Sequence, residues 1–290
     1  MRGWLGSILL VSIASAQVPN VAIRLDLFPS YLSEEGGKNR LRWYDQMARA
    51  STVGLGFNLE PGYYVLVTER LQRITGDKDR EQLDELYVED PGVWRVGRQY
   101  MPFGAQNLVR QSSIAIRTSQ LPFLQKRVPI QLAYVNDGGK LARGVVGRLG
   151  SRHVGVSLAW GDHFLLSSTN LAHLGDFENR PAGRKGYRLM GGLDLTRTWG
   201  RAAVAVELVA LRRGESDFDP SKDLSDVSLT TRASEDSKFT TGWTRDYRTG
   251  RDFYRFETEL QTTRNVALRS FVRFERGTWK DLAVGVRIRF

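Results

Sequence analysis

The sequence predicts an all-β fold: a transmembrane antiparallel up-and-down barrel of about 14 strands, with about 12 as the alternative count. Three observations predict it. Apolar and polar residues alternate with period two along most of the chain, no stretch of any length is helix-periodic, and tight turns alternate with long connections. Composition narrows the choice. The 290 residues are 41% hydrophobic, with a mean hydropathy of -0.35. A bundle of membrane helices needs several apolar runs of ~20 residues, and the one sustained run, Trp4 to Ile13, is too short. With 26% charged and 10% aromatic residues the chain is not of a disordered type either. There is no Cys, so no disulfide can staple the fold.

The first 16 residues read as a cleaved secretory signal peptide. Arg2 supplies the positive end, Trp4 to Ile13 the apolar core, and Ala14-Ser15-Ala16 the small-x-small site, with Ala14 and Ala16 at its recognition positions. Residues 17–290 are then one domain, with no internal boundary.

The strands follow in order. Val21, Ile23, Leu25 and Leu27 oppose Arg24 and Asp26, and Val53, Leu55, Phe57 and Leu59 oppose Gly54, Gly56 and Asn58. Residues 84–89 and 112–118 are weaker candidates. Trp94 and Val96 oppose Arg95, Gly97 and Gln99, and Arg98 breaks the pattern by falling on the apolar parity. On the lipid face Arg98 would cost about 2–4 kcal/mol at mid-bilayer, so it is expected to snorkel, or Gly97 to kink the strand. Val128, Ile130, Leu132 and Tyr134 oppose Gln131 and Ala133; Val154, Val156, Leu158 and Trp160 oppose His153, Gly155, Ser157 and Ala159. Tyr187, Leu189, Leu193 and Leu195 oppose Arg188, Asp194 and Thr196. Three segments close the chain: Tyr254 to Gln261, Val266 to Glu275, and Leu282 to Phe290. In the last, Leu282, Val284, Val286, Ile288 and Phe290 share one face and Ala283, Gly285, Arg287 and Arg289 the other.

Alternation alone fits a water-soluble sandwich, apolar inside, as well as a membrane barrel, apolar outside. Four features favour the barrel. The candidates run ~9–12 residues, enough to cross a bilayer when tilted. Tyr63, Tyr64, Trp94, Tyr100, Trp160, Trp199, Trp243 and Trp279 lie near segment ends, as an interfacial girdle requires. Tight turns at 60–62, 90–92, 150–152, 200 and 263–265 alternate with long connections at 33–47, 75–83, 161–185 and 214–251. And the chain ends on Phe290, in phase with the apolar face. With both termini on the short-turn side the strand number must be even. A short helix is expected to interrupt 119–127.

The segment Leu282 to Phe290 resembles the C-terminal sorting signal of bacterial outer-membrane barrels, with Val286, Ile288 and the terminal Phe290 as its alternating residues. A second resemblance is local. Glu85-Leu86-Tyr87-Val88-Glu89, then Trp94-Arg95-Val96-Gly97-Arg98-Gln99-Tyr100-Met101-Pro102-Phe103-Gly104, is similar to the central hairpin of the phosphate-selective porin (O/P-type) family, and Val128 to Tyr134 resembles a later strand of it. That family's lysine cluster has no counterpart here. The resemblance implies a bacterial outer-membrane porin in a Gram-negative-type envelope. It also implies insertion by the barrel-assembly machinery, outer-membrane lipid around the wall, and the homotrimeric assembly common among such porins.

Net charge is +10, and only eight of the 42 basic residues are Lys. Arg carries a fixed charge on a rigid fork, suited to meeting anions in a confined site. The connection 214–238 holds seven acidic against three basic residues, so the surplus lies in the barrel body. Arg24, Arg95, Arg117, Arg188, Arg255, Arg269, Arg273, Arg287 and Arg289 fall largely on the non-apolar parity and are the candidate anion-attracting, pore-lining residues. A competing reading pairs them with Glu257, Glu259 and Glu275 as a bracing mesh.

Catalytic and metal chemistry is not signalled. His153, His163 and His173 form no zinc-type pair, and His153 on the lumen parity reads as a wall residue. No Gly-x-Ser-x-Gly elbow is present. Asp217, Asp219, Ser221 and Asp223 have calcium-loop spacing without its Gly and Glu, so a solvated acidic loop is expected. No cofactor is implied, and Arg spread over strands argues against nucleic acid. The expected function is passive diffusion of small, anionic solutes through a lumen narrowed by residues 104–127. The alternatives are a plugged barrel acting through its long loops as a structural or adhesive protein, and a periplasmic β-sandwich binding protein.

Overall fold

A computed structural model describes residues 21–43, 51–59, 62–71, 83–106, 108–109, 111–119, 129–138, 142–164, 187–212, 224–247 and 250–290. The expected signal peptide, the helix at 119–127 and the Asp217–Asp223 segment lie essentially outside these residues.

Eighteen strand segments form one antiparallel sheet. They are β1 (Val21–Leu27), β2 (Ser30–Glu34), β3 (Lys38–Arg42), β4 (Thr52–Leu59), β5 (Tyr63–Arg70), β6 (Leu83–Asp90), β7 (Trp94–Tyr100), β8 (Ser112–Thr118) and β9 (Ile130–Asn136). The second half contributes β10 (Arg143–Gly150), β11 (Val154–Phe164), β12 (Tyr187–Trp199), β13 (Ala202–Arg212), β14 (Leu224–Arg232), β15 (Ser237–Asp246), β16 (Arg251–Thr263), β17 (Val266–Glu275) and β18 (Thr278–Arg289). Two of the staves are broken. β1 and β2 pair with β18 in one unshifted register, from Asp26↔Arg289 to Glu34↔Asp281, so they are one strand interrupted at Phe28-Pro29. β4 pairs with β1 and β3 with β2, which makes β3 and β4 the second stave. The barrel therefore has 16 strands. It closes where Leu25 and Phe290 exchange two backbone hydrogen bonds of 2.9 Å each.

The count corrects the expected 14 strands through one missed hairpin, and the fallback of 12 also because the weaker candidates 84–89 and 112–118 are both strands. The acidic connection 214–251 contains a hairpin, β14 and β15, turning at 233–236. Its outward face is thin in apolar residues, chiefly Val227, Leu229, Phe239 and Trp243, and Thr and Ser fill most of the rest. Asp226, which reads as loop charge, is 1% exposed and sits in the wall. Gly242, between Ser228 and Arg255 in the register, leaves space for this pair: a Cβ there would come 2.3 Å from the Arg255 guanidinium, which lies across β15 to reach Asp226. The expected long connection 33–47 is also corrected. Residues 35–37 form a tight turn between β2 and β3.

The apolar parity faces outward. Ile23, Val284 and Trp160 are 65%, 54% and 67% exposed, whereas their opposite-parity neighbours Ala283 and Ala159 are at most 1% exposed. A continuous exposed apolar belt over a closed barrel is stable against lipid, where every strand hydrogen bond is satisfied and no edge is left open. A β-sandwich requires the reverse orientation, so that alternative is excluded. Val21, the C-terminal Phe290 and the turns at 91–93, 151–153, 200–201, 233–236 and 264–265 share one rim. Tyr63 and Trp94 meet outside this rim with ring centroids 5.6 Å apart.

Candidate functional site

The interior is divided into two unlike halves. Across β8–β14 the lumen face carries Ala115, Ala133, Val135, Val146, Ala159, Met190, Val209, Leu211 and Leu224, all 3% exposed or less. These small and aliphatic side chains receive the segment 101–111, which leaves β7, crosses the barrel and returns to β8. Met101, Phe103, Leu108 and Val109 are at most 2% exposed within the same apolar cluster. Two polar anchors hold the crossing. Gly104 N–H donates to Ser157 Oγ at 2.9 Å, and Leu108 N–H donates to Glu207 Oε2 at 3.0 Å. Gly192 leaves room for Phe103, whose ring carbons would lie 2.9 Å from a Cβ there. Of the expected constriction 104–127, the part up to Gln111 turns inward, and 112–118 is the strand β8.

The other half is polar and open. A cavity of about 600 Å³ lies between the tip of the inward segment, Ala105 and Gln106, and the wall of β18, β1, β4, β5 and β6. Arg24, Asp26, Thr52, Thr68, Asp84, Glu85, Arg287 and Arg289 line it. Cations cluster at β18 and β1. Arg287 Nε and Arg289 Nη2 both reach Asp26, at 3.2 and 3.0 Å, so one carboxylate serves two guanidinium groups. Carboxylates cluster at β6, where Asp84 accepts from Arg70 Nε at 2.8 Å and from the Tyr100 hydroxyl at 2.5 Å.

Eight of the nine predicted arginines point into the barrel. Six of them are ion-paired. Arg95 meets Glu89 at 2.6 Å and stacks 3.8 Å from the Tyr87 ring centroid. Arg255 meets Asp226 at 2.6 Å and Glu257 at 3.2 Å, Arg269 meets Glu259 at 3.2 Å, and Arg273 meets Asp281 at 2.6 Å. Arg287 and Arg289 share Asp26. Arg24 and Arg117 have no carboxylate within 4.0 Å among the described residues; Arg24 lies 5.5 Å from the Tyr64 ring centroid. The ninth is a correction. Arg188 faces outward, because a bulge at 161–163 shifts the β11–β12 register between Trp160↔Leu189 and Phe164↔Tyr187 and exchanges the faces of Tyr187 and Arg188.

Arg98 is buried in the wall, and the β7 register runs unshifted through Gly97. Gly97 takes φ +127, where a Cβ would lie 2.2 Å from the Leu86 carbonyl oxygen, and both Arg98 and Gln99 are buried beyond it. His153 does not line the wall. It is exposed in the 151–153 turn beside Arg152. Among the described residues no cluster of His, Asp or Glu could hold a metal ion. The anchors Ser157 and Glu207 escape a reading for catalysis or net charge. Glu207 carried a signal all the same: it is the sole acid in the apolar run Ala202 to Leu211.

This architecture is that of the bacterial outer-membrane porins. OmpTdeltaL8, a loop-deletion mutant of the outer-membrane protein OmpT of Vibrio cholerae, superposes with a TM-score of 0.60 at 11% identity, over 94% of this chain and 100% of that one. The anion-selective porin of Comamonas acidovorans gives 0.59 at 10% identity over the same shares. A porin mutant of Rh. blastica gives 0.57 at 12% identity over 93% of this chain and 100% of its own. No protein-family model matches the sequence, and no curated protein does.

Proposed function

We propose that the chain is an outer-membrane porin-like channel for passive diffusion of small, preferentially anionic solutes. The observation that carries this is the polar-lined cavity of about 600 Å³ beside the inward segment of a barrel of 16 strands. Preference for anions rests on four residues rather than nine. Arg24 and Arg117 have no carboxylate partner among the described residues, and Arg287 with Arg289 outnumbers Asp26. Fixed positive charge in a confined, low-dielectric passage concentrates anions and repels cations. Phosphate selectivity, implied by the similarity of Trp94 to Gly104 to the O/P-type family, would draw on the same four guanidinium groups. Export by a cleaved signal peptide, insertion by the barrel-assembly machinery and a homotrimer complete the proposal. One solved OmpT is a trimer form with the same fold, TM-score 0.57.

A second reading has its own observation. The apolar filling from Met101 to Leu224 leaves only part of the lumen open, as in a plugged barrel that acts through its surface loops. Single-channel conductance in a planar bilayer under a salt gradient separates the two. Discrete steps with an anion-signed reversal potential support the channel. Silent insertion of a folded barrel supports the plug.

A further inference from the structure

The lumen cavity has three unlike sides, more than an anion filter requires. On β1 and β18 stand Arg24, Arg287 and Arg289. Arg287 and Arg289 share Asp26, while Arg24 lies 5.5 Å from the Tyr64 ring centroid with no carboxylate within 4.0 Å among the described residues. The chain end at Phe290 is held to the strand edge, where it accepts from the Leu25 N–H at 2.9 Å. The far wall, on β4, β5 and β6, carries Thr52, Thr68, Asp84 and Glu85, with no cation among its described lining residues. Arg70 behind it is turned to Asp84 at 2.8 Å. Thr68 Oγ1 accepts from the Glu85 N–H at 3.0 Å, which leaves its hydroxyl proton to donate.

The third side is the tip of the inward segment. Gln106 sits there at φ +62, a left-handed backbone that Gly, Asn or Asp adopts more readily than a longer side chain. Its neighbours fix it from both directions, through Gly104 on Ser157 and Leu108 on Glu207. An unfavourable conformation held by its surroundings points to a functional constraint. What glutamine adds is a carboxamide at the cavity, with two donor hydrogens and an acceptor.

Four solute chemistries can be compared on these sides. A simple inorganic anion needs only the guanidinium wall. A dicarboxylate brings its second charge to Asp84 and Glu85 rather than to a cation. An alkyl carboxylate leaves the polar groups of the far wall and of Gln106 without partners, which is costly in a confined site. A carboxylate on a hydroxylated chain suits all three sides, since its hydroxyls both donate to the acids and pair with Thr52, Thr68 and Gln106. Taking the barrel as the channel proposed above, we propose that this cavity is a binding subsite for sugar acids, monocarboxylates with a polyhydroxyl chain. Arg24 takes the carboxylate, and Gln106 is the specificity-determining residue for the hydroxyls. The volume of about 600 Å³ is that of a small-molecule site and leaves room for water beside a six-carbon acid.

The test is ligand-observed NMR on the full folded chain in neutral detergent micelles, titrated with gluconate, hexanoate, adipate and glucose. Gluconate is expected to bind at least about tenfold more tightly than the other three, because a site built for hydroxyls rejects analogues that lack them. R24Q should weaken gluconate about tenfold, the worth of one charge-assisted hydrogen bond. Gln106→Gly relieves the left-handed backbone and deletes the carboxamide. The barrel should therefore keep its heat-modifiable gel mobility while its preference for gluconate over hexanoate falls about fivefold. A purely structural role for Gln106 would leave that preference unchanged. Absence of gluconate binding to the folded barrel, equal binding of hexanoate, tighter binding of adipate, or an unaltered preference in Gln106→Gly each overturns the proposal. Binding is read without conduction. A barrel that binds gluconate but passes no current counts against the channel alone, and a conducting barrel indifferent to gluconate counts against this subsite alone.

Discussion

Replacing Asp226 by Ala tests the corrected strand count, because only the 16-stranded barrel buries that residue. In the structure Asp226 accepts two hydrogen bonds from Arg255, at 2.6 and 3.1 Å, and a third from the Thr244 hydroxyl at 2.5 Å. Arg255 is 5% exposed, so removing its partner leaves a buried cation poorly compensated. Breaking a buried pair from one side costs about 3–5 kcal/mol. Glu257 remains 3.2 Å from Arg255 Nε and offsets part of this, which brings the expected loss to the bottom of that range or just below it, about 2–3 kcal/mol. That is a factor of roughly 30 to 150 in the unfolding equilibrium. Denaturant unfolding in detergent micelles, followed by tryptophan fluorescence and heat-modifiable mobility, would report it. Glu235→Gln, in the exposed turn of the same hairpin, should change stability by less than about 0.5 kcal/mol. D226L/R255M, which removes both charges, should recover most of the loss. If Asp226→Ala unfolds at the wild-type midpoint, Asp226 is a loop residue and the β14–β15 hairpin is wrong.

Three further outcomes are expected. S157A/E207A removes both polar anchors of the inward segment, so single-channel conductance should rise and its noise increase; unchanged conductance would show that apolar packing alone holds Phe103 and Leu108. R24Q/R117Q removes the guanidinium groups without carboxylate partners and should lower the anion-to-cation permeability ratio several-fold, at about 0.5–1 kcal/mol per charge in a partly hydrated passage; an unchanged reversal potential would refute the charge argument. Gly97→Val forces a side chain to within van der Waals overlap of the Leu86 carbonyl at a left-handed φ, and should sharply reduce the yield of folded barrel seen by gel mobility.

Legibility from the sequence followed the strength of the alternation. β18 and β17 are readable because five and four outward apolar residues, respectively, sit at period two, and lipid on one side enforces that parity. β14 and β15 are not. A lumen-facing Asp and a Thr-rich outer face look like a solvated loop when the partner that buries Asp226 is 29 residues away. Arg188 fails for another reason. Parity counts residues from one end of a strand, and the bulge at 161–163 lies on a different strand from the residue it reorients.

By itself, then, the sequence determined the fold class and the inward and outward faces of most strands. These follow from local periodicity and composition, which need no knowledge of who neighbours whom. Only the tertiary structure decided which arginines are neutralised. Asp26 meets Arg287 and Arg289 across the barrel closure, 261 and 263 residues away in the chain. The same holds for the inward segment, whose anchors Ser157 and Glu207 lie 53 and 99 residues beyond the backbone groups they accept from. Charge pairing and loop docking depend on strand register around a closed ring, and register is a property of the assembled sheet rather than of any one segment.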